Sequence, residues 1–357
     1  MTADTQNKFD AQRLINFAFG LLHKVGLEKE MAQITAKTLV ESDLMGYTTH
    51  GLNLLPDYLK EIEKGDMLNT GVPEVINDAG TAVTWDGRYL PGPWLVHRAM
   101  DLAFERIKDH PVVTVTIGRS HHIGCLATYP EYATKKGLML LLACSDPRNG
   151  TVAPFGGIDP VYSPNPLAVG IPTKKDPVIF DSSMSSTANG VIFQKHKSGE
   201  KLGGPWLINR DGTVSDDPAD FMKEPPANLL PVGGTDLGFK GFAMGILIEA
   251  LTSGLAGHGR KDRDDRWGSS VFLQVINPEA FGGTARFMDE TSYFSEQCLS
   301  STPLDAEKPV RMPGQRALQL RDEQLKNGLR LHPTIVPALE VVAEKYGVRL
   351  PFPDSAQ

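Results

Sequence analysis

Two adjacent histidines, His121 and His122, stand just past an apolar run, in the loop Gly118-Arg119-Ser120-His121-His122-Ile123-Gly124. Imidazole titrates near ~6.5, so such a ring can give and take a proton around neutral pH, which suits general acid–base catalysis. A third histidine, His50, lies in the polar link Tyr47-Thr48-Thr49-His50-Gly51, where it can point away from a helical core. The adjacent pair alone supports two readings. Either it takes part in proton chemistry, or one ring is bonded to backbone while the other faces water.

The elements around these residues follow from pattern. Val112 to Ile117 is apolar and β-branched and predicts a buried strand. Cys125 to Lys136, beyond the histidine loop, has helix-compatible spacing and is closed by Gly137. A strand end, a loop and a helix start together expose backbone N–H groups and hold side chains on a stiff support. Upstream, residues 9–64 predict three helices, ending at Gly26, Gly46 and Gly65, with His50 in the second link. Val72 to Ile76 and Thr81 to Trp85 read as strands with a turn at Asp86-Gly87, and Pro93 opens a helix through Arg106. Leu138 to Cys144 is a further apolar strand.

Asp146 to Pro172 is dense in Gly and Pro and predicts irregular backbone. Val178 to Phe180 is a short strand ending at Asp181, and Gln194 to Leu230 reads as polar loop with a hairpin near Asn209–Gly212. Leu237 to Leu255 is the longest helix, and its Gly241 and Gly245 invite a close backbone approach. Gly257 to Gly268 is charged and flexible, Val271 to Ile276 a strand, and Ala285 to Leu299 an amphipathic helix. After an RMPG turn at 311–314, Gln315 to Lys326 and Pro333 to Tyr346 are helical. The pattern is α+β, with helical ends and a β-rich middle. It predicts a discontinuous helical domain, residues 1–75 plus 309–357, and a central domain, residues 76–308, for cofactor and substrate.

Composition narrows the function. A chain of 357 residues with 41% hydrophobic and 22% charged content can bury a large core and stay in solution. Net charge is -7 with no basic stripe, which argues against a nucleic-acid partner. The stretch Leu237 to Gly257 is interrupted by Lys240 and Glu249, so it predicts a buried helix and no membrane span. Three scattered cysteines, Cys125, Cys144 and Cys298, and an N-terminus without an apolar signal core point to a reducing cytoplasm. No GxGxxG follows a strand, GGTDLGFK lacks the Lys-Ser/Thr of a phosphate loop, and no HExxH or GxSxG occurs. Neither does a third ligand accompany His121 and His122, so no metal is expected.

Six stretches in order resemble the type-2 malate/L-lactate dehydrogenase family: THGLNLLPDYLKEIEKG, SHHIG, VAPFGG with SPNPLAVGIP, IFDSSMSS, DLGFKGFAMGILIEAL and RMPG. That family also includes ureidoglycolate dehydrogenases, a diketogulonate reductase and cyclic ketimine reductases. The resemblance implies a non-Rossmann NAD(P)-binding fold, a homodimer, and hydride transfer between NAD or NADP and a carbonyl or imine carbon. It implies His122 as acid/base and His50 as the group that polarises the substrate, with the two roles exchangeable. Thr49, in place of the family's Ser, can still bond His50. For the cofactor it points to Gly124, Cys125, Leu126, Ser145, Asp181, Ser182, Ser183, Lys240, Arg311 and Gly314. Free N–H groups and a lysine suit a pyrophosphate, and a carboxylate suits ribose hydroxyls.

The chain departs from the family at Leu54, where an Arg ordinarily grips the substrate carboxylate. Val191 stands near the ketimine reductases' Asp donor, so that mechanism is not carried over. Two expectations follow. Another arginine, Arg148 or Arg119, takes over the carboxylate, with Asn189 beside the substrate; or the substrate presents a neutral group to Leu54, as a cyclic imine or another carbonyl compound would. A third reading, from another class, is a nicotinamide-binding protein without turnover; the survival of both His50 and His122 speaks against it.

Overall fold

The computed structural model describes residues 8–351. Residues 1–7 and 352–357, assigned above to the helical domain, lie outside the described residues. β1 (Lys8–Phe9) leads into α1 (Ala11–Lys24), capped by Asp10, whose carboxylate accepts the Arg13 N–H at 2.8 Å. α2 (Lys29–Leu44) and α3 (Leu55–Lys64) complete the three expected helices. β2 (Glu74–Asp78) and β3 (Ala82–Asp86) precede α4 (Gly92–Arg106) and β4 (Val112–Ser120). The short α5 (Pro130–Thr134) separates β4 from β5 (Met139–Ser145). β6 (Leu167–Ile171), β7 (Val178–Ser182) and α6 (Asn189–Ser198) come next. Three short strands follow, β8 (Leu207–Ile208), β9 (Val214–Ser215) and β10 (Asn228–Leu229). α7 (Gly234–Glu249), β11 (Ser269–Ile276) and α8 (Thr284–Leu299) lead to α9 (Gln315–Asn327), β12 (Leu329–Arg330) and α10 (Ile335–Tyr346).

The main sheet is mixed, seven strands in the order β2-β3-β4-β11-β5-β6-β7. Pairing is antiparallel at every step except β3–β4. The central strands β4, β5 and β11 are buried on both faces, which is why they read as unbroken apolar runs. The chain ends meet where β1 pairs with β12. One apolar cluster runs from Phe9 through α1–α4 and the sheet to Val342, so the helices of both ends and the strands share a core. Each fully buried leucine in it contributes roughly 1.5–3 kcal/mol.

Several expected elements differ. β2 lies two residues later than expected, and all five of its residues are exposed, so side-chain polarity does not mark its place. The segment Cys125 to Lys136 holds only a 3-10 turn at Leu126–Thr128 and α5. The irregular stretch 146–172 ends in β6, which pairs with both β5 and β7. The stretch from Gln194 lies partly on α6, which buries only Ile192 and so lacks an amphipathic signature. The hairpin near Asn209 is present as β8–β9. α7 packs against the Val232 backbone: a Cβ on Gly241 would lie 2.5 Å from its nitrogen.

Candidate active site

His50 and His122, 72 positions apart in sequence, lie with ring centroids 5.8 Å apart and planes 24° off parallel. Both line a cleft of about 520 Å³. Three features of the chain bring them there. β4 ends with a register shift against β11 between Ser269 and Val271, and Arg119 takes φ 49°, so the strand turns before the histidines. The first turn of α4 closes on the loop from behind, where a Cβ on Gly92 would lie 2.3 Å from the His121 carbonyl oxygen. On the other side, the α2–α3 link that carries His50 is clasped by Asp43.

Asp43 is 1% exposed. Its Oδ2 accepts the Leu52 N–H at 2.7 Å, closing the link into a loop. Gly51 lies against the carboxyl group, so that a Cβ there would fall 2.3 Å from it. Oδ1 is buried without a hydrogen-bond partner, and burial pushes the pKa up to about 8. Behind Asp43, Gln324 of α9 donates to the carbonyls of Asp43 and Leu44 at 3.2 and 2.8 Å.

His122 is fixed by its neighbours. The Gly124 N–H donates to its Nδ1 at 3.3 Å, and the Tyr58 hydroxyl lies 2.8 Å from the same nitrogen. Both contacts are at Nδ1, and Nε2 makes no hydrogen bond to a described residue. Trp267 stacks on the ring at 4.7 Å and 30°. Burial, and then the neighbouring rings of His50 and His121, hold the His122 pKa well below 6.5. His50 has its Nδ1 2.8 Å from the Thr49 hydroxyl, and burial lowers its pKa as well. Two such rings cannot both be charged at this spacing, so one proton added to the pair stays on one of them. His121 points the other way. It is fully buried, neither ring nitrogen has a hydrogen-bond partner, and Glu61 at 3.9 Å is too far to supply one. Burial lowers its pKa and keeps it neutral.

Of the sequence-expected residues, Thr49, Leu54, Gly124, Cys125, Leu126, Asp181, Ser182, Ser183 and Asn189 line the same cleft as the two histidines. Asp181 accepts the Ala127 N–H at 2.8 Å, and burial raises its pKa to about 6. Asn189, in the first turn of α6, has a buried Oδ1 without a partner. A carboxylate and an open amide oxygen that accept, with hydroxyls that can donate, form a polar set that fits a nicotinamide nucleoside.

Other expected residues are elsewhere. The Ser145 hydroxyl is engaged by Thr252 and Ser253 at 2.8 and 2.9 Å, against a π-helical turn at Ala250–Gly254. Lys240 is exposed on α7 beside the Phe239 ring. Arg311 is exposed, and Gly314 docks on β7, where the Ile179 N–H donates to the Pro313 carbonyl at 3.1 Å. Arg119 and Arg148 line a separate small pocket with His258, Arg263 and Arg266 that shares Ser269 with the cleft. Arg119 is also ion-paired to Asp86.

Three site residues escaped sequence reasoning. Tyr58 sits on the apolar face of α3 and reads as core; its position four residues past Leu54 is one helical turn, which puts both on one side. Trp267 lies in a stretch that looks charged and flexible, and Asp43 hides among ordinary helix residues. A tryptophan among charged residues and an acidic residue on a buried helix face were the available signals.

Known proteins resemble this chain over most of its length. A family model described as malate/L-lactate dehydrogenase matches residues 9–340. The chain is 29% identical over 336 residues to hydroxycarboxylate dehydrogenase B of Escherichia coli O157:H7, covering 92% of this chain and 91% of that one. It is 30% identical over 329 residues to an L-lactate dehydrogenase of Cupriavidus necator, covering 90% and 93%. The crystal structure of malate dehydrogenase from Entamoeba histolytica superposes with a TM-score of 0.90 at 24% identity, over 97% of this chain and 99% of that one, a likeness of fold. The chain therefore belongs to the malate/L-lactate dehydrogenase family and is an oxidoreductase of the 2-hydroxy acid type.

Proposed function

We propose that the protein interconverts a 2-oxo acid and a 2-hydroxy acid with NAD or NADP, His122 moving the proton and His50 holding the substrate oxygen. The observation that carries this reading is the pair of imidazoles 5.8 Å apart at one cleft, each with its Nδ1 occupied by a protein hydroxyl. That arrangement leaves Nε2 of each ring for a substrate oxygen between them. When bound, the cofactor supplies or accepts the hydride; the chain must orient it and handle the proton. Asp181 is suited to ribose hydroxyls, the Gly124–Leu126 backbone and Ser182-Ser183 to phosphate and carboxamide, and Asn189 to an amide hydrogen. Lys240, Arg311 and Gly314 lie on other surfaces of the described chain, where a bound cofactor's adenosine end, or a second subunit, is required to give them a role. The mixed, mostly antiparallel sheet supports a non-Rossmann cofactor fold, with the helical domain of both chain ends facing the central one.

The test is direct. NADH and NADPH are each mixed with pyruvate, oxaloacetate, longer 2-oxo acids, diketones and cyclic imine acids, and loss of reduced-cofactor absorbance is followed. Turnover of a 2-oxo acid is expected. Cofactor binding with no turnover on any of them would remove the reading.

A second reading of the substrate is favoured by Leu54 and Trp267, which face the cleft where an anionic group would want a guanidinium. Here the group beside the reacting carbon is neutral. Arg148 is the better placed of the two arginines to rescue the first reading, since Arg119 is engaged by Asp86. Activity on pyruvate that falls in Arg148→Ala favours an arginine anchor; activity on diketones or imines that exceeds it favours the neutral group.

A homodimer also fits. Leu237, Phe239, Met244, Ile246 and Leu247 on α7 are exposed apolar side chains, with Ile246 55% exposed, and such a face calls for cover. Light scattering on the eluting protein should give twice the chain mass. Three unpaired cysteines suit the cytoplasm. Among the described residues no helix is long and apolar enough to cross a membrane.

A further inference from the structure

The register of the main sheet, carried past its last paired residues, sets one aromatic side chain over the histidine pair. β4 and β11 are antiparallel, and their outermost partners at this end are Ser120 and Ser269. Two residues beyond Ser120 is His122, and two residues before Ser269 is Trp267. The antiparallel count therefore puts Trp267 opposite His122, a relation that brings Cβ atoms within roughly 4.5–5.5 Å of each other. The two ring centroids are 4.7 Å apart, with planes 30° off parallel. Gly268 keeps the chain close here, since a Cβ on it would lie 2.8 Å from the Ser120 carbonyl oxygen and 2.7 Å from the Tyr89 ring.

The indole is itself held, edge to face, by Tyr58 at 5.8 Å and His121 at 5.1 Å. It makes the two cleft histidines unequal. Each has its Nδ1 2.8 Å from a neutral hydroxyl, Thr49 for His50 and Tyr58 for His122, so the hydroxyls do not tell them apart. His122 has Trp267 stacked on it, whereas among the described residues His50 has no ring neighbour but His122.

A proton added to the pair is short of partners. The groups facing His122 are His50 from the α2–α3 link, Tyr58 from α3, His121 beside it and Trp267 from the approach to β11. Among the described residues no carboxylate is ion-paired to it. Glu61 lies nearest His121, and the cleft's Asp57, Asp146 and Asp181 are engaged by Lys60, Asn149 and the Ala127 N–H. Burial and the two neighbouring imidazoles disfavour the charge. The indole acts in the other direction. Its face carries the negative part of the ring quadrupole, and a cation within about 6 Å of the ring centre is attracted, most strongly where water is excluded.

We propose that Trp267 is a positioning residue for the proton: its indole face stabilises the imidazolium of His122, so that the proton on the pair is carried by His122 and not by His50. This rests on the dehydrogenase reading and names the side chain that divides the work between the two rings. In reduction the charged His122 gives its proton to the substrate oxygen while the carbonyl carbon takes the hydride from the reduced cofactor, and the ring returns to neutral. In oxidation the neutral ring takes the hydroxyl proton, and the indole holds the cation until water removes the proton.

Nitrogen NMR on the full chain with isotope-labelled histidine reads which ring is protonated as pH falls, with His122→Gln and His50→Gln assigning the signals. Wild type should take its first proton on His122. Tryptophan is then replaced during growth by forms bearing one, two or three ring fluorines, which drain charge from the π face with little change of shape. The hold of His122 on its proton should weaken stepwise, about threefold by the third fluorine, or about half a pH unit. Trp85, Trp94 and Trp206 take up the same label, so Trp267→Phe is grown in parallel, and there the fluorines should have no effect. The acid limb of the kcat/KM profile for oxidation should move with the NMR value, and an unchanged thermal melt reports the fold in each protein. A first proton on His50 would overturn the proposal, as would a His122 that stays neutral down to the acid limit of the fold. So would a fluorine series without slope, or a slope that persists in Trp267→Phe. Failure of the dehydrogenase reading is read separately, as no hydride transfer to any 2-oxo acid from NADH or NADPH while the fluorine slope stands.

Discussion

The two walls of the cleft are built in opposite ways. On the histidine wall every ring is held by another: His122 lies between His50 and Trp267, with Tyr58 at its edge and a hydrogen bond to Nδ1. On the α6 wall only Ile192 is buried, Phe193 and Lys197 are exposed, and the Asn189 amide oxygen has no partner. A group that must deliver a proton to one atom gains from being immobilised. A group that reads the substrate's identity can change without disturbing the core. On the function proposed, chemistry sits on the wall that cannot move, and specificity on the wall that can be rewritten. Substitutions on the first should reduce turnover, and on the second they should shift binding.

The largest expected effect is on the histidine wall. His122→Ala removes the proposed acid/base and should lower kcat about 10²–10⁴-fold, with cofactor affinity retained. The pH dependence sharpens this. Lowered pKa values leave both rings neutral in the free enzyme at neutral pH. Reduction needs a protonated ring, so its kcat/KM should rise as pH falls through neutrality, while oxidation, which needs the neutral base, should be flat there. The Tyr58 hydroxyl holds His122 at Nδ1. Tyr58→Phe should therefore displace the reduction profile along the pH axis, with kcat down about tenfold. An unmoved profile would mean that the phenol only packs.

Asp43 tests whether the histidine wall depends on what stands behind it. Asp43→Ala leaves the Leu52 N–H without its 2.7 Å partner, which should cost about 1–3 kcal/mol and loosen the His50 link. Asp43→Asn keeps an acceptor there and should restore kcat. The sign of the pH effect is fixed by the raised pKa. The folded carboxyl, near 8, holds its proton more tightly than the unfolded one at its ordinary value. Its contribution to stability is therefore complete below the unfolded pKa and is lost as pH rises to about 8, with a slope of up to about 1.4 kcal/mol per pH unit. Asp43→Asn should be the more stable protein above neutrality and show no such slope in denaturant melts. Equal slopes in both proteins would locate the titration elsewhere.

The same asymmetry explains what could be read from the sequence. β4, β5 and β11 were legible because strands buried on both faces write themselves as apolar runs. The histidine loop was legible because chemistry-bearing residues clustered at a strand end, and the family resemblance paired His122 with His50 across 72 positions. Spacing alone could not have done so, nor could it divide the roles of His121 and His122. Neighbours in extended chain point to opposite sides, and which side is the cleft depends on α3 and Trp267. α6 was only partly legible, because a helix that buries one residue carries no periodic signal. β2 shifted for a related reason, being exposed along its whole length. Legibility followed burial, and the specificity wall is the unburied one.

The smallest expected effect lies within α6 and separates the walls most finely. Asn189 and Gly190 are consecutive, yet they belong to different walls. Gly190 abuts Thr49 and with it the His50 ring, whereas the Asn189 amide oxygen is buried and unpartnered. Asn189→Ala removes an unsatisfied acceptor, so the fold loses nothing and the melting temperature should hold or rise slightly. What is lost is one hydrogen bond to a bound molecule, about 0.5–1.5 kcal/mol, seen as a roughly two- to tenfold weaker KM for cofactor or substrate at constant kcat. A fall in kcat with KM unchanged would place Asn189 on the catalytic wall. A fall in stability with both constants unchanged would mean that its amide serves the fold, and that the division between the walls begins further along the helix, at Phe193.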